Sequence, residues 1–183
     1  MSENAAALIR RATLDDIPEL ERLIPESVRA LSSNYYTAEQ IESALVNIFG
    51  VDTQLIADGT YYVAEIDGRV AGCGGWSKRK TLFGGDKTKE GEDTLLDPRT
   101  EPARIRAFFV HPHYARRGLA GQIIERCERA AREAGFTAIE LAATLPGEPL
   151  YKAFGYESVE RFDAPLPDGL GLPIVRMRKR IKN

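Results

Sequence analysis

Apolar residues recur at helical spacing in two segments near the start of the chain. Residues 8–12 predict a short strand, and Thr13 follows it as a helix N-cap. The helix predicted after this cap has an apolar stripe formed by Leu14, Ile17, Leu20, Leu23 and Ile24. Thr37, with Gln40 three residues later, is a capping signature for a second helix, whose apolar face is formed by Ile41, Leu45 and Ile48. The pattern therefore predicts one strand followed by two amphipathic helices.

A hairpin and a long polar segment follow these helices. Residues 60–66 and 70–77 are rich in β-forming residues, and the dipeptide Asp67-Gly68 between them favours a tight hairpin turn. Residues 78–102 are polar and contain turn signals such as Gly84-Gly85-Asp86. This segment predicts a surface insertion, and long insertions of this kind often carry function.

The middle of the chain predicts two parallel strands joined by a helix. Residues 105–110 form a predicted strand that Pro112 stops, and residues 119–134 have apolar positions at helical spacing up to Gly135. Residues 137–143 predict a second buried strand. A strand–helix–strand connection of this kind makes a right-handed crossover between parallel neighbours.

The last part of the chain predicts a short helix and an antiparallel strand pair. The helix covers residues 149–154 and ends at Gly155, and residues 156–162 and 174–181 alternate apolar with charged positions. Together the elements predict an α/β (α+β) fold with a mixed central sheet of about six to seven strands flanked by helices.

Length and composition favour a single domain. The chain has 183 residues, 43% of them hydrophobic, which is enough for one sizeable core and short for two ordinary domains. We therefore expect one domain over residues 1–183, with a flexible tail at 1–7 and the insertion at 78–102. The N-terminus lacks a basic segment followed by an apolar one, and no apolar run is long enough to span a membrane, so a cytoplasmic protein is expected.

Charge and cysteine content narrow the expected partners. The formal net charge is −2, from 25 basic and 27 acidic residues, so no nucleic acid and no membrane surface is expected as a partner. Cys73 and Cys127 are far apart and only two histidines are present, which argues against a disulfide framework and against a metal site. A small-molecule partner is therefore expected, and a homodimer is left open.

The segment from Phe108 to Gly121 carries the clearest chemical signal. A strand ends there, and a glycine-containing turn leads directly into an amphipathic helix. The free amides of a first helical turn and the positive end of the helix dipole favour a phosphate or pyrophosphate, and Arg116 and Arg117 add positive charge. Gly118, Ala120 and Gly121 leave room for close approach. Taken alone, the turn is equally consistent with small residues used only for packing.

Two motifs in register give this chain a resemblance to the GNAT superfamily of N-acetyltransferases. Ala115-Arg-Arg-Gly-Leu-Ala120 is similar to the signature Gln/Arg-x-x-Gly-x-Gly/Ala of that family's motif A, and departs from it at Ala115. Pro149-Leu-Tyr-Lys-Ala-Phe-Gly-Tyr-Glu157 resembles motif B, with Tyr151 as its tyrosine. A Rossmann site is not indicated because the full Gly-x-Gly-x-x-Gly is missing, and a Walker A loop lacks its Gly-Lys-Ser/Thr.

The resemblance implies a fold feature and a co-substrate. Two neighbouring parallel strands are expected to splay apart, and acetyl-CoA is expected to enter the gap. Its pantetheine arm would pair with the strand edge at Phe108, Phe109 and Val110. Its pyrophosphate would bind the turn and first helical residues, Arg116, Arg117, Gly118, Leu119, Ala120 and Gly121.

The resemblance also implies a mechanism without a metal and without an acyl-enzyme. A neutral primary amine would attack the thioester directly, with the backbone N–H of Val110 as the oxyanion donor. Tyr151 occupies the family's general-acid position for the departing thiolate. The general base is open: His111, Glu140 and Asp86 are candidates, although each has an ordinary structural interpretation. Cys73 is interpreted as a core thiol.

The acceptor is the least determined part of the function. Tyr35, Tyr36 and Trp76 are candidates for an aromatic pocket, although packing is the more common role. Positive and negative side chains near the predicted site are balanced, namely Arg79, Arg104, Arg106, Asp86 and Asp93. A small-molecule amine is expected because the insertion at 78–102 is able to cover the site. A protein lysine or N-terminal acetyltransferase and a non-catalytic acyl-CoA sensor are the alternatives.

Overall fold

The computed structural model describes residues 6–182. Residues 1–5, which form most of the tail expected at 1–7, lie outside the described residues. Ala6 and Ala7 are described without regular secondary structure, and Ala7 packs against the hydrophobic core. The helices are α1 (Ile17–Ser32), α2 (Ala38–Asn47), α3 (Thr53–Ala57), α4 (Leu119–Glu133) and α5 (Glu148–Ala153). The strands are β1 (Leu8–Arg11), β2 (Tyr61–Ile66), β3 (Arg69–Ser77), β4 (Ala103–Val110), β5 (Ala138–Thr144), β6 (Glu157–Pro165) and β7 (Gly171–Arg180).

The seven strands form one mixed sheet in the order β1-β2-β3-β4-β5-β7-β6. Among the strands within residues 6–182, only the central pair β4–β5 is parallel, and every other neighbouring pair is antiparallel. The predicted mixed sheet and the predicted parallel pair are therefore confirmed. Because α4 connects β4 to β5, the parallel strands are neighbours in sequence as well as in the sheet.

The helices cover both faces of the sheet. One core cluster joins apolar residues of α4 and α5 to the sheet, including Leu119, Ile123 and Tyr151. A second cluster joins α1, α2 and α3 to the opposite face, including Leu20 and Ile41. Both faces of the central strands are thus buried, which explains why β2 and β3 are apolar along almost their whole length.

Local signals in the sequence account for the element boundaries. In α2, Gln40 N–H donates to Thr37 Oγ1 at 3.1 Å, and the Thr37 amide donates to Gln40 Oε1 at 2.9 Å, which completes a capping box. In the β2–β3 hairpin, Asp67 and Gly68 have φ values of 50° and 76°, as a two-residue primed turn requires.

The insertion at 78–102 is held to the rest of the domain by backbone pairing, a buried side chain and a salt bridge. Arg79 and Leu95 form an antiparallel bridge, and Leu96 is buried in the core. Asp58, which follows α3, receives a salt bridge of 2.7 Å from Arg79. The sequence analysis did not predict α3, because a five-residue helix is too short to show helical periodicity.

The glycines of β3 have a packing role that can be tested at Gly75. A Cβ atom at Gly75 would lie 2.6 Å from the Thr60 carbonyl oxygen, which is backbone and cannot move aside. We expect Gly75→Ala to lower the free energy of unfolding by about 1–3 kcal/mol because it overpacks the strand. Gly72→Ala is the control on the same strand, since its Cβ would have its nearest contact at 3.4 Å. Equal stability of the two variants in urea unfolding would contradict this account.

Candidate active site

The parallel strands β4 and β5 separate after a short paired stretch. They are in register only at Ala103↔Ile139 and Arg104↔Glu140, although β4 continues to Val110 and β5 to Thr144. A cavity of about 240 Å³ opens between their free edges. The splayed strand pair expected from the sequence is therefore present, and it places unpaired backbone at the centre of the sheet.

A bulge in β4 lies at the point of separation. Cys73 faces Phe109 and Gly75 faces Arg106, so two steps along β3 match three along β4. The additional residue allows Ala107 to adopt a φ of 54°, which is uncommon outside glycine. The Tyr61 hydroxyl donates to the Ala107 carbonyl oxygen at 2.9 Å and holds this conformation.

The bulge also explains a glycine in the adjacent strand. The Phe108 ring lies over Gly74, where a Cβ atom would come within 2.6 Å of the ring. Phe108, Phe109 and Val110 all line the cavity. The His111 amide donates to the Ala71 carbonyl oxygen at 2.8 Å. Because successive amides of a strand point to opposite edges, the Val110 amide points away from β3 and towards the gap.

The turn before α4 is open on its outer side. Arg116 and Gly118 have φ values of 62° and 80°, and Gly118 is the N-cap of α4. A Cβ atom at Gly118 would have no neighbour within 4 Å, so space is available there for a ligand. The amides of the first helical turn, at Leu119, Ala120 and Gly121, have no acceptor within the helix.

The two arginines and Gly121 have distinct positions around this turn. Arg116 and Arg117 are both exposed beside it, and the Arg117 guanidinium lies 5.4 Å from the centre of the Tyr114 ring. Gly121 faces inwards, where a Cβ atom would lie 2.7 Å from the Phe154 ring. Its small size is therefore required by packing against the chain after α5, while its amide remains in the first helical turn.

Tyr151 reaches the same cavity from α5. It is 7% exposed, and its ring packs edge-on against Phe108 and Tyr156, with centroid distances of 6.3 and 5.8 Å. Burial raises the pKa of the Tyr151 phenol, with a further contribution from Cys127. The phenol is therefore protonated throughout the physiological pH range and is able to donate a hydrogen bond or a proton.

The far side of the cavity is formed by apolar side chains, of which the sequence analysis named Ile48, as part of a helix face and not as part of a site. They come from α1, from the chain just after α2 and from the insertion, and they are Val28, Leu31, Ile48, Phe49, Leu82 and Phe83. Helical periodicity predicts that Val28 and Ile48 are apolar positions but not that they face a cavity. Leu82 and Phe83 lie in irregular chain, where no periodicity exists.

A buried ion pair lies behind this wall. Arg106 in β4 donates from Nη2 to Asp52 Oδ2 at 2.8 Å, and both side chains are fully buried. Lys89 from the insertion contacts the other oxygen of Asp52. Burial lowers the pKa of Arg106 below its ordinary value, and the neighbouring carboxylates of Asp52 and Asp93 oppose this shift without cancelling it. Arg106 Nε is buried and has no hydrogen-bond partner in the described part of the chain.

Comparison with known proteins identifies the architecture around this gap. The model of the Acetyltransferase (GNAT) family matches residues 21–156. The chain belongs to the GNAT acetyltransferase family. It is therefore an enzyme of the N-acetyltransferase class, as the two motifs predicted. No curated protein sequence matches the chain significantly.

Solved structures show the same GNAT fold at low sequence identity. A GCN5-related N-acetyltransferase from Rhodopseudomonas palustris has a TM-score of 0.69 and 18% identity, over 98% of this chain and 99% of that chain. YncA from Salmonella typhimurium, solved with acetyl-CoA, has a TM-score of 0.64 and 17% identity, over 97% and 95% of the two chains. A ribosomal-protein-alanine N-acetyltransferase from Escherichia coli has a TM-score of 0.61 and 15% identity, over 97% and 95%.

The charged candidates for acceptor binding in this GNAT domain are engaged elsewhere. Arg79 pairs with Asp58, and Arg104 pairs with Glu140 at 3.3 Å. Asp93 Oδ1 accepts from the Thr81 amide at 3.0 Å. Of the charged residues proposed from the sequence, Arg106 alone borders the cavity, and its side chain is fully buried.

The aromatic candidates for an acceptor pocket, and Cys73, do not line the cavity. The Tyr36 hydroxyl donates to the Pro173 carbonyl oxygen at 2.6 Å and accepts from the Leu145 amide at 2.9 Å. Trp76 is buried against Phe136, and Tyr35 is exposed outside the cavity. Burial raises the pKa of the Cys73 thiol to about 12, so the thiol is not a nucleophile at neutral pH.

The described chain lacks a metal-binding cluster and a membrane-spanning helix. Among residues 6–182, no three His, Cys, Asp or Glu side chains form a group that could hold a metal ion. None of the helices in this range is both long and apolar enough to cross a membrane.

The buried pair between Arg106 and Asp52 predicts a large stability effect. We expect Asp52→Ala to lower the free energy of unfolding by about 3–5 kcal/mol, because Arg106 would remain buried without its counter-charge. The control is Glu42→Ala, which removes the exposed ion pair with Arg29 and should change stability far less. Denaturant unfolding of both variants measures the difference. Similar midpoints would show that Arg106 and Asp52 are not desolvated as described.

Proposed function

We propose that this chain transfers the acetyl group of acetyl-CoA to the primary amine of a small molecule. The observation that carries the proposal is the gap between β4 and β5, because one continuous opening is lined by the free edge of β4 and by Tyr151. Family membership gives the reaction class, and the geometry of this gap supports the choice of residues proposed to perform it.

The residues around the gap fit acetyl-CoA. The open turn at Gly118 and the first-turn amides of α4 suit a pyrophosphate, since they combine free donors with the positive end of the helix dipole. Arg116 and Arg117 add positive charge beside this turn, whereas Ala115 stands where the motif A signature has Gln or Arg. The unpaired edge of β4 from Phe108 to Val110 offers backbone groups to the amide-containing arm of the coenzyme.

The proposed reaction proceeds in a direct transfer and needs no covalent intermediate on the enzyme. A bond forms between the amine nitrogen and the acetyl carbon, and the bond from that carbon to the coenzyme sulfur breaks. The nitrogen loses one proton and the departing thiolate gains one. Acetyl-CoA supplies an activated thioester, so the chain has to position two reactants, stabilise the negative oxygen and move the protons.

Two groups in the gap suit the last two tasks. The Val110 amide points into the gap and is the proposed donor to the thioester oxygen as negative charge develops there. Tyr151 is protonated and lines the same cavity, so it is the proposed general acid for the departing sulfur.

The candidates for a general base are all occupied by other contacts. His111 Nε2 lies 3.2 Å from Glu26, Glu140 pairs with Arg104, and Asp86 Oδ1 accepts from the Thr53 amide at 3.0 Å. None of the three lines the cavity. We therefore propose that the amine loses its proton to water at the mouth of the cavity.

A small acceptor is favoured over a protein by the insertion at 78–102. Leu82 and Phe83 from this segment form one wall of the cavity, which narrows the route that a polypeptide would need. A protein N-terminal acetyltransferase is the second candidate, because the fold is also similar to the ribosomal-protein-alanine N-acetyltransferase.

Tyr151→Phe tests the proposed general acid. The variant keeps the ring packing against Phe108 and Tyr156 but lacks the hydroxyl group that would donate the proton. We therefore expect unchanged acetyl-CoA binding and a fall in kcat of roughly 10²–10⁴-fold. Calorimetric titration with acetyl-CoA and release of free coenzyme thiol in the presence of amine give the two values. Wild-type kcat in this variant would remove Tyr151 from the mechanism.

The matched control for binding is Gly118→Val. Valine disfavours the positive φ of Gly118, and its side chain would obstruct the turn. The variant should therefore bind acetyl-CoA more weakly in the titration, while the Tyr151 variant binds normally. Saturable binding by the wild-type chain without thiol release from any amine or peptide would instead indicate an acyl-CoA sensor.

A further inference from the structure

We propose that the acceptor is a primary amine with one apolar substituent, aromatic or branched aliphatic, and no second charge. This inference rests on the proposed function and concerns the part of the cavity beyond the β4 edge. The amine nitrogen must reach the gap beside Val110, so the rest of the acceptor lies among the side chains on the far wall.

The far wall is largely apolar, although Ser27 and Ser32 of α1 also line it, and it is assembled from three separate parts of the chain. Val28 and Leu31 come from α1, Ile48 and Phe49 from the chain just after α2, and the third part is the pair Leu82 and Phe83 in the insertion. An apolar substituent that moves from water into this space gains roughly 25 cal/mol for each Å² of surface that it buries. A polar substituent of the same size would lose its hydration without this compensation.

The aromatic part of the wall is held in place by other rings. Phe49 packs edge-on against Phe109 of β4, with a centroid distance of 5.9 Å. Phe83 packs against Phe162 of β6 at 6.2 Å. Both side chains therefore have partners on the sheet, so the shape of the wall is set before an acceptor binds.

Arg106 positions the third part of the wall. Its Nη1 donates to the Thr81 carbonyl oxygen at 3.2 Å, and its Nη2 donates to the Gly84 carbonyl oxygen. These two carbonyl groups flank Leu82 and Phe83 in sequence. The buried guanidinium thus fixes the backbone on both sides of the two residues that face the cavity.

The cavity offers no counter-charge for a second ammonium group. Within residues 6–182, no Asp or Glu lines it, and the ionisable residues along it are Tyr151 and Arg106, whose side chain is fully buried. The positive charge of Arg106 is already paired with Asp52, and its unpartnered Nε is a donor that would not favour a cation. A diamine would have to bury its distal charge unpaired, which is costly.

A matched set of amines tests the inference. Phenethylamine and isopentylamine carry one apolar group, while ethanolamine is polar and putrescine has a second cation. We expect kcat/KM for the two apolar amines to exceed that for ethanolamine and putrescine by at least about tenfold, as measured by thiol release. Equal or higher kcat/KM with ethanolamine or putrescine would overturn the inference.

Two leucines of the insertion provide matched variants. Leu82→Ala removes part of the wall and should lower kcat/KM for phenethylamine roughly tenfold through KM. Leu95→Ala makes the same change at a side chain that is 58% exposed and outside the cavity, and should alter kcat/KM by less than about twofold. Acetyl-CoA binding should be the same in both variants. Equal effects of the two substitutions on kcat/KM would contradict the assignment.

The outcomes separate this inference from the function on which it rests. Turnover of putrescine or ethanolamine in preference to phenethylamine would overturn the acceptor class and leave the acetyltransferase intact. Turnover of a peptide N-terminus alone would overturn the small-molecule acceptor and this inference together. Failure of the wild-type chain to bind acetyl-CoA would overturn the proposed function itself.

Discussion

The site depends on the loss of backbone pairing between β4 and β5 after Arg104 and Glu140. A central strand normally satisfies its amides and carbonyls on both sides, and unpaired groups there are costly when buried. The bulge at Ala107 turns β4 away from the ladder, and the Tyr61 hydroxyl satisfies the Ala107 carbonyl. The unpaired edge beyond the bulge borders a cavity, where water or a bound ligand is able to take the place of the missing strand partner.

The same strand connects the two halves of the cavity. Phe108 and Val110 border the gap proposed for the coenzyme, while Arg106, a few residues earlier, holds the insertion that forms the acceptor wall. Asp52 and Lys89 complete the buried charge group behind that wall. An ion pair of this kind adds little stability over apolar packing, but removal of one partner is costly, so its value here is to specify one position of the insertion.

Much of the architecture was predictable because it is encoded locally. The capping box at Thr37, the Asp67-Gly68 turn and the glycine turn before α4 each depend on neighbouring residues alone. The acceptor wall was not predictable, since Leu82 and Phe83 belong to irregular chain and meet α1 and α2 only in the folded protein. The pairing of Arg106 with Asp52, 54 residues apart, was hidden for the same reason, and without it Arg106 was interpreted as a candidate acceptor ligand.

Amide hydrogen exchange followed by NMR tests most directly whether the free edge of β4 receives acetyl-CoA. The account predicts that acetyl-CoA slows exchange of the Val110 amide and of the first-turn amides of α4 by at least about tenfold. Amides of β6 at the outer edge of the sheet should be unaffected. Saturable acetyl-CoA binding without added protection at Val110 would contradict the claim that the split between β4 and β5 is the coenzyme site.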